Sequence, residues 1–412
     1  MSDQHLSHSE WLSQLNEYLE RERYASITAA HRVSEARQFL TFLDARHIEV
    51  AAVQPSDVDR YLHQRLRAYR RRYGHPPADN WRVVRINPIR MFLQLAQGQW
   101  PPAPKPATRA ERFRHQLCEQ YVQWMVDVRG LAPATISKRC REARHFLSWL
   151  GKRASRVGIA TLLVADVDRY LRDRSSSLRR SSVSMVTVRT RVFLRWLHST
   201  GQTNRDLSTA VITPSLYAFE SIPSALRSQD VEKVLAAVQQ DGTRKGIRDY
   251  AILMLLSKYG VRAGEIIALR LDDIDWRKEV IRVRQTKTGT VSYLPLLDEV
   301  GDAILKYLQK ARPKTAIREI FTRDRAPYLP FKNLYTLIRK RLDAAGVVTS
   351  GRRGPHAFRH ARAVGMLRAA VPLKEIGDML GHRACSSTMT YLKLATEDLR
   401  AIALEIPAGV KA

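Results

Sequence analysis

The sequence predicts a mainly α protein: two tandem helical domains, then an α+β domain with a small antiparallel sheet. Three observations predict this. A helical segment occurs twice within the first 210 residues. Apolar residues recur at helical spacing in both copies, as in Phe39, Leu40, Phe42 and Leu43. In the last third, one stretch alternates apolar and polar residues around a Thr-Gly turn.

From Ser9 the chain reads as an amphipathic helix, WLSQLNEYLERERYA, followed by SITAAHRVSEARQFLTFLDARHI over residues 26–48. The second copy is APATISKRCREARHFLSWLGKR, residues 132–153. At a shift of 107, Thr28 meets Thr135, Glu35 meets Glu142, Arg37 meets Arg144, Phe39 meets Phe146 and Leu43 meets Leu150. DVDRYL at 57–62 recurs at 166–171, and Arg90-Met91-Phe92-Leu93 recurs as Arg191-Val192-Phe193-Leu194. Three matches in order mean two copies of a unit of about four helices with different loops. Thr28 and Thr135 stand where N-caps are wanted. RLRAYRRRYGHPP (residues 65–77) and RDRSSSLRRSS (residues 172–182) read as basic loops between helices.

Four prolines in WPPAPKPATR, residues 100–109, exclude helix and favour an extended spacer. A second boundary falls near residues 213–230, with Ser228 as N-cap of the next helix. The expected domains are therefore 1–105, 110–210 and 226–412.

In the third, IRDYAILMLLSKY is a nearly all-apolar helix that Gly260 ends. Arg262 falls in the break, and Glu265 shares its face. Val280–Val283 and VSYLPL form a hairpin with Lys287 at its tip. A further amphipathic helix follows in DEVGDAILKYLQKARP, and then PFKNLYTLIRKRLDAAGV, ending at Gly346. Pro355 suits a first helical turn, and His356 and Arg359 lie one turn apart. VPLKEIGDML ends at a cap, Gly381, which sets His382 just past a helix end. Ser386 or Ser387 can cap the next short helix, which carries Tyr391.

The chain has 69 Lys and Arg against 40 Asp and Glu, a formal net charge of +29, which calls for a polyanion partner. Candidate phosphate contacts are Arg32, Arg37, Arg70, Arg71, Lys138, Arg139, Arg141, Arg144, Arg179 and Arg180. No apolar run approaches the roughly 20 residues of a membrane span. The first residues, MSDQHLSHSEW, lack the basic and apolar regions of a signal peptide. Cys118, Cys140 and Cys385 have no CxxC spacing, which argues for a reducing interior and against structural zinc or a disulfide framework. The expected location is the bacterial cytoplasm, associated with the nucleoid.

Each candidate has an ordinary reading when taken singly. An Arg and a Glu three apart form surface ion pairs, a turn lysine is solvated, and a tyrosine on a helix is core. The combination weighs differently. Arg262 with Glu265, Lys287 in a hairpin, His356-x-x-Arg359, Leu380-Gly381-His382 and Tyr391 nine residues later resemble the tyrosine recombinase (phage integrase) family. Residues 226–399 resemble its catalytic domain, and 110–205 its helical, SAM-like core-binding domain. The extra copy at the N-terminus departs from two-domain members of that family.

The resemblance implies a site-specific DNA recombinase whose nucleophile is Tyr391. It would leave a 3′-phosphotyrosyl link and a free 5′-hydroxyl, for integration, excision or transposition of a mobile element. Arg262 and Arg359 would neutralise the non-bridging oxygens, Lys287 would protonate the leaving oxygen, and His356 would act as base or proton shuttle. His382 would hydrogen-bond a non-bridging oxygen. The sequence has no acidic cluster to hold two Mg²⁺ ions and no G-x-x-x-x-G-K-[ST] loop, so no metal or cofactor is expected. Expected partners are double-stranded DNA at specific recombination sites and further copies of the chain, from dimer to tetramer. The tail at 399–410 would dock on a neighbouring protomer, and accessory recombinases would join. Three other readings compete. A type IB topoisomerase-like enzyme shares the chemistry, a catalytically silent DNA-binding homologue shares the fold, and a sequence-specific nuclease would need metal ligands.

Overall fold

A computed structural model describes residues 6–103, 106–217, 226–285, 289–349, 351 and 353–381. By proximity of the chain it divides into two compact units, residues 103–220 and the remainder. The first copy of the repeat consists of α1 (His8–Arg21), α2 (Ser26–Asp44), α3 (Pro55–Tyr73) and α4 (Trp81–Gln97). The second consists of α5 (Arg109–Asp127), α6 (Pro133–Leu150), the short α7 (Arg156–Ala160), α8 (Val164–Ser175) and α9 (Arg180–Ser199). Helix α7 and the 3₁₀ turn before it, Gly151–Arg153, stand where copy one has the single 3₁₀ turn Val50–Ala52, which raises the shift from 107 to 109, and the shorter α8 accounts for most of its fall to 101.

The repeated residues are the ones that build each core. Phe39, Leu43, Tyr61, Phe92 and Leu93 are buried in copy one, and Phe146, Leu150, Tyr170, Phe193 and Leu194 in copy two. The repeated Glu is buried as well. Glu142 accepts the Tyr170 hydroxyl at 2.6 Å and lies 3.4 Å from the Arg174 guanidinium; Glu35 lies 3.8 Å from that of Arg85. The first Asp of DVDRYL closes the helix start. Asp57 accepts the Gln54 N–H at 2.8 Å, and Asp166 accepts the Leu163 N–H at 3.1 Å. Such a carboxylate satisfies a donor that the helix leaves unpaired. The repeat is legible because it encodes packing and capping.

Three local expectations are corrected. Thr28 and Thr135 are not N-caps: α2 starts at Ser26 and α6 at Pro133, each after an extended alanine. In α6, proline at the first position pre-sets the helical φ and places the start two residues before Thr135. Ser228 is likewise the first residue of α10 (Ser228–Gln239), after Arg227. The basic stretches are largely helical: Arg65–Tyr73 completes α3, and Arg172–Ser175 completes α8. Arginine is a good helix former, and Arg70, Arg71 and Arg72 complement the dipole of the last turn, which Gly74 ends at φ +72°. Helix α3 has 19 residues against 12 in α8, so this basic extension belongs to copy one alone.

Burial raises the phenol of Tyr61 to about 12, helped by Glu35, and that of Tyr121 also to about 12. An unfolded tyrosine loses its proton near pH 10, so above that pH the unfolded state holds fewer protons than the folded one. The stability tied to these neutral phenols is complete below pH 10 and falls as pH rises from 10 to 12. The expected result is an unfolding free energy, measured by urea titration with circular dichroism, that declines over that window by about 1 kcal/mol per pH unit or less per phenol. The decline is shallower in Tyr61→Phe. An equally steep decline in that variant removes Tyr61 from the account.

The last third is built on α11 (Arg244–Tyr259), whose run Ala251–Leu256 is buried throughout. Around it pack α10, α13 (Asp298–Lys310) and α15 (Pro355–Arg368). Helices α12 (Ala263–Ala268), α14 (Tyr335–Ala344) and α16 (Leu373–Leu380) complete the described helices. The expected hairpin is present as β2 (Val280–Arg284) and β3 (Val291–Pro295), with Ile281 opposite Leu294 and Val283 opposite Ser292. A short strand β1 (Ile274–Asp275) adds to β2, giving a three-stranded antiparallel sheet in the order β1-β2-β3. Asp273, just before β1, is buried and accepts from Arg282 and Arg284, each at 2.9 Å. A buried carboxylate needs such partners. No described helix is long and apolar enough to cross a membrane.

Candidate active site

The site begins where α11 stops. Gly260 has φ +64°, a left-handed cap that an L side chain adopts only with strain, and its N–H donates to Leu256 at 3.1 Å. Two residues on, Arg262 is the N-cap of α12. Its own N–H donates to Glu265 Oε2 at 2.7 Å, and its Nη1 donates to Glu265 Oε1 at 2.8 Å. Glu265 is buried while the Arg262 side chain is 21% exposed. The pair is therefore no solvated surface contact: a buried carboxylate with both oxygens committed fixes the guanidinium.

The second arginine comes from α15. Pro355 occupies the first turn of that helix, as expected. Arg359 is buried, donating from Nη1 to the Gly260 carbonyl at 2.8 Å and from Nη2 to the Leu380 carbonyl at 2.5 Å. Arg262 Nη2 donates to the next carbonyl, that of Gly381, at 3.1 Å. Two guanidiniums from separate elements thus meet the last carbonyls of α16. Helix C-termini leave those oxygens unpaired and carry partial negative charge, so cations gather there. Gly381 caps α16 at φ +64° as expected. His356 is exposed one turn before Arg359, its ring centroid 6.3 Å from that of His360.

Arg262, Glu265 and Arg359 are thus brought together around Gly260 and Gly381. Lys287, His382 and Tyr391 lie outside the described residues, as do Ser386, Ser387, Cys385 and the tail at 399–410. Of the candidate phosphate contacts, Arg37, Arg70, Arg71, Lys138, Arg141, Arg144, Arg179 and Arg180 are exposed. Arg32 and Arg139 are partly buried, and the Arg32 guanidinium sits 4.8 Å from the Tyr24 ring centroid. Sequence reasoning passed over Gln285, whose carboxamide lies against Gly381. Nothing in its spacing marks it, since only folding joins the hairpin to the end of α16.

Residues 224–398 match the model of the phage integrase family. The y4rA protein of Sinorhizobium fredii, named as an integrase/recombinase, is 33% identical over 395 residues, covering 95% of this chain and 92% of its own. The chain belongs to the phage integrase, or tyrosine recombinase, family. It is a tyrosine-type site-specific recombinase. A second integrase/recombinase of the same organism, y4gC, is 56% identical over 186 residues, 45% of this recombinase and 97% of its own length. A lambda integrase from a tetramer bound to a Holliday junction shares the fold, with a TM-score of 0.54 at 15% identity over 77% of this recombinase and 88% of that chain. The family match spans every candidate catalytic position. The first repeat copy lies outside it, whereas the y4rA alignment, at 95% of this chain, takes in most of that copy as well.

Proposed function

We propose that this recombinase cuts and rejoins double-stranded DNA at specific sites through a 3′-phosphotyrosyl intermediate on Tyr391, to integrate, excise or transpose a mobile element. The phenol oxygen of Tyr391 bonds to the phosphorus and the bond to the 5′-oxygen breaks. The phenol proton passes to His356, directly or as a shuttle, and Lys287 gives a proton to the leaving oxygen. Arg262 and Arg359 offset the charge that builds on the non-bridging oxygens, with a hydrogen bond from His382. The new bond retains the phosphodiester's energy, so a 5′-hydroxyl of another strand can reverse the step and complete the exchange.

The observation that carries this reading is the meeting of Arg262 and Arg359 at the end of α16, one residue before His382 in the sequence. The test starts by selecting bound duplexes from a random-sequence DNA pool. Nicks are then placed at each position across the bound region, so that a cut releases a short strand and traps the protein on DNA. A denaturation-resistant DNA–protein complex is expected. None at any nick position counts against the proposal.

Exchange between two duplexes needs paired cuts, so the working form is a tetramer assembled from dimers, with the tail at 399–410 docking on a neighbour. The likeness in fold to a lambda integrase taken from a tetramer on a Holliday junction supports it. The proposed division of labour is DNA binding by 1–105 and by the core-binding domain at 110–210, with catalysis in 226–412. Support for the first comes from its kinship with the second and from exposed Arg70 and Arg71. Deleting residues 1–105 is expected to shorten the DNA footprint and flatten the salt dependence of binding. A footprint of unchanged length assigns that unit to protein contacts instead.

A further inference from the structure

Gly381 has a second neighbour besides Arg262. A β-carbon built on it would fall 2.0 Å from Gln285 Nε2 and 2.5 Å from Cδ, so the carboxamide lies directly on the glycine. Gln285 is buried and stands just past β2. Its N–H donates to the Thr290 carbonyl and its carbonyl accepts from the Gly289 N–H, both at 2.8 Å. Its Nε2 donates to Ser292 Oγ at 3.1 Å. The contacts therefore run without interruption from Ser292 of β3 through Gln285 to Gly381, and on to Arg262 and Glu265. An apolar side chain would fill this gap without the cost of burying an amide. The carboxamide instead holds one orientation through its bond to Ser292, and only a glycine leaves room for it.

We propose that Gln285 is a positioning residue for strand cleavage: the strut that sets the hairpin against the cap of α16 and, through Gly381, aims Arg262. The inference rests on the reading of Arg262 as charge partner of the scissile phosphate. Without the strut the Gly381 carbonyl is free to shift, and the guanidinium that donates to it shifts too. Displacement by about 1 Å can cost on the order of a hundredfold in rate.

The test compares single-turnover cleavage of two nicked duplexes. One carries the natural phosphodiester. The other carries a methylphosphonate, in which a methyl group replaces one non-bridging oxygen and removes its negative charge. Less charge then builds on the non-bridging positions, and the reaction depends less on where Arg262 points. Gln285→Ala is expected to cleave the phosphodiester about 10- to 100-fold more slowly while binding it within about twofold of the parent. On the methylphosphonate the deficit shrinks to about threefold or less. Ser292→Ala, which removes the anchor of the carboxamide but leaves little cavity, is expected to show a smaller deficit with the same dependence on substrate. It decides the matter alone if Gln285→Ala fails to melt cooperatively. Equal deficits on both duplexes, or unchanged cleavage of the phosphodiester, overturn the proposal. Tyr391→Phe is run beside them: a covalent complex from that variant refutes the Tyr391 reading and leaves the role of Gln285 to be judged on its own deficit.

Discussion

Replacing Tyr391 with phenylalanine is expected to abolish the covalent DNA–protein complex while leaving DNA affinity within about threefold of the parent. The change removes one oxygen and keeps the ring, so whatever packing the ring contributes remains. A phenol with a pKa near 10 is a poor nucleophile at neutral pH until a base and a positive field act on it. Arg262 and Arg359 supply such a field at the end of α16. On the proposed reading the Tyr391 oxygen is the group that bonds to phosphorus, so the rate of complex formation is expected to fall by on the order of 10⁴-fold or more. The measurement is the yield of denaturation-resistant complex on the nicked duplex, with affinity followed by fluorescence anisotropy. A complex of undiminished yield from the phenylalanine variant moves the nucleophile to another of the chain's 15 tyrosines.

The second large effect is expected at Arg359, where stability and chemistry fall together. Its guanidinium joins the Gly260 carbonyl at the end of α11 to the Leu380 carbonyl at the end of α16. Arg359→Ala leaves both oxygens buried without those donors and opens a cavity, at a cost of about 2–4 kcal/mol. Melting is expected to shift down accordingly, and cleavage to slow by about 10²–10³-fold, the loss typical of a missing charge-stabilising donor. Arg359→Lys restores the charge but not the fork. A compact ammonium cannot span both carbonyls as the planar guanidinium does, so melting recovers in part and cleavage lags behind it. Calorimetry and single-turnover cleavage separate the two losses. An alanine variant with unchanged melting refutes the structural role, and one with unchanged cleavage refutes the catalytic role.

What could be read before folding was considered follows from where each signal sits. The repeat was legible because many of its matched letters, though not its threonines and arginines, are buried or capping groups. Phe39, Phe146, Tyr61 and Tyr170 fill equivalent cores, and Asp57 and Asp166 close equivalent helix starts. The ends of α11 and α16 were legible because Gly260 and Gly381 adopt the left-handed conformation that favours glycine. The basic stretch Arg65–Arg72 was misjudged as a loop, because charge density says nothing about backbone conformation and arginine favours helix. The strand β1 was not anticipated: two residues are too few to show a period.

By itself the sequence determined the repeat, the mainly α fold with its hairpin, and the residue types arranged as in a tyrosine recombinase, since each is set by spacing along the chain or by backbone preference. Only the tertiary structure decided that Arg262 and Arg359 donate to consecutive carbonyls of one helix end, and that Gln285 braces the glycine between them. Arg262 lies 119 residues from Gly381 and 97 (359 − 262) from Arg359, and Gln285 lies 96 (381 − 285) from Gly381. Contacts at such separations are fixed by packing around the buried α11, and no local pattern encodes them.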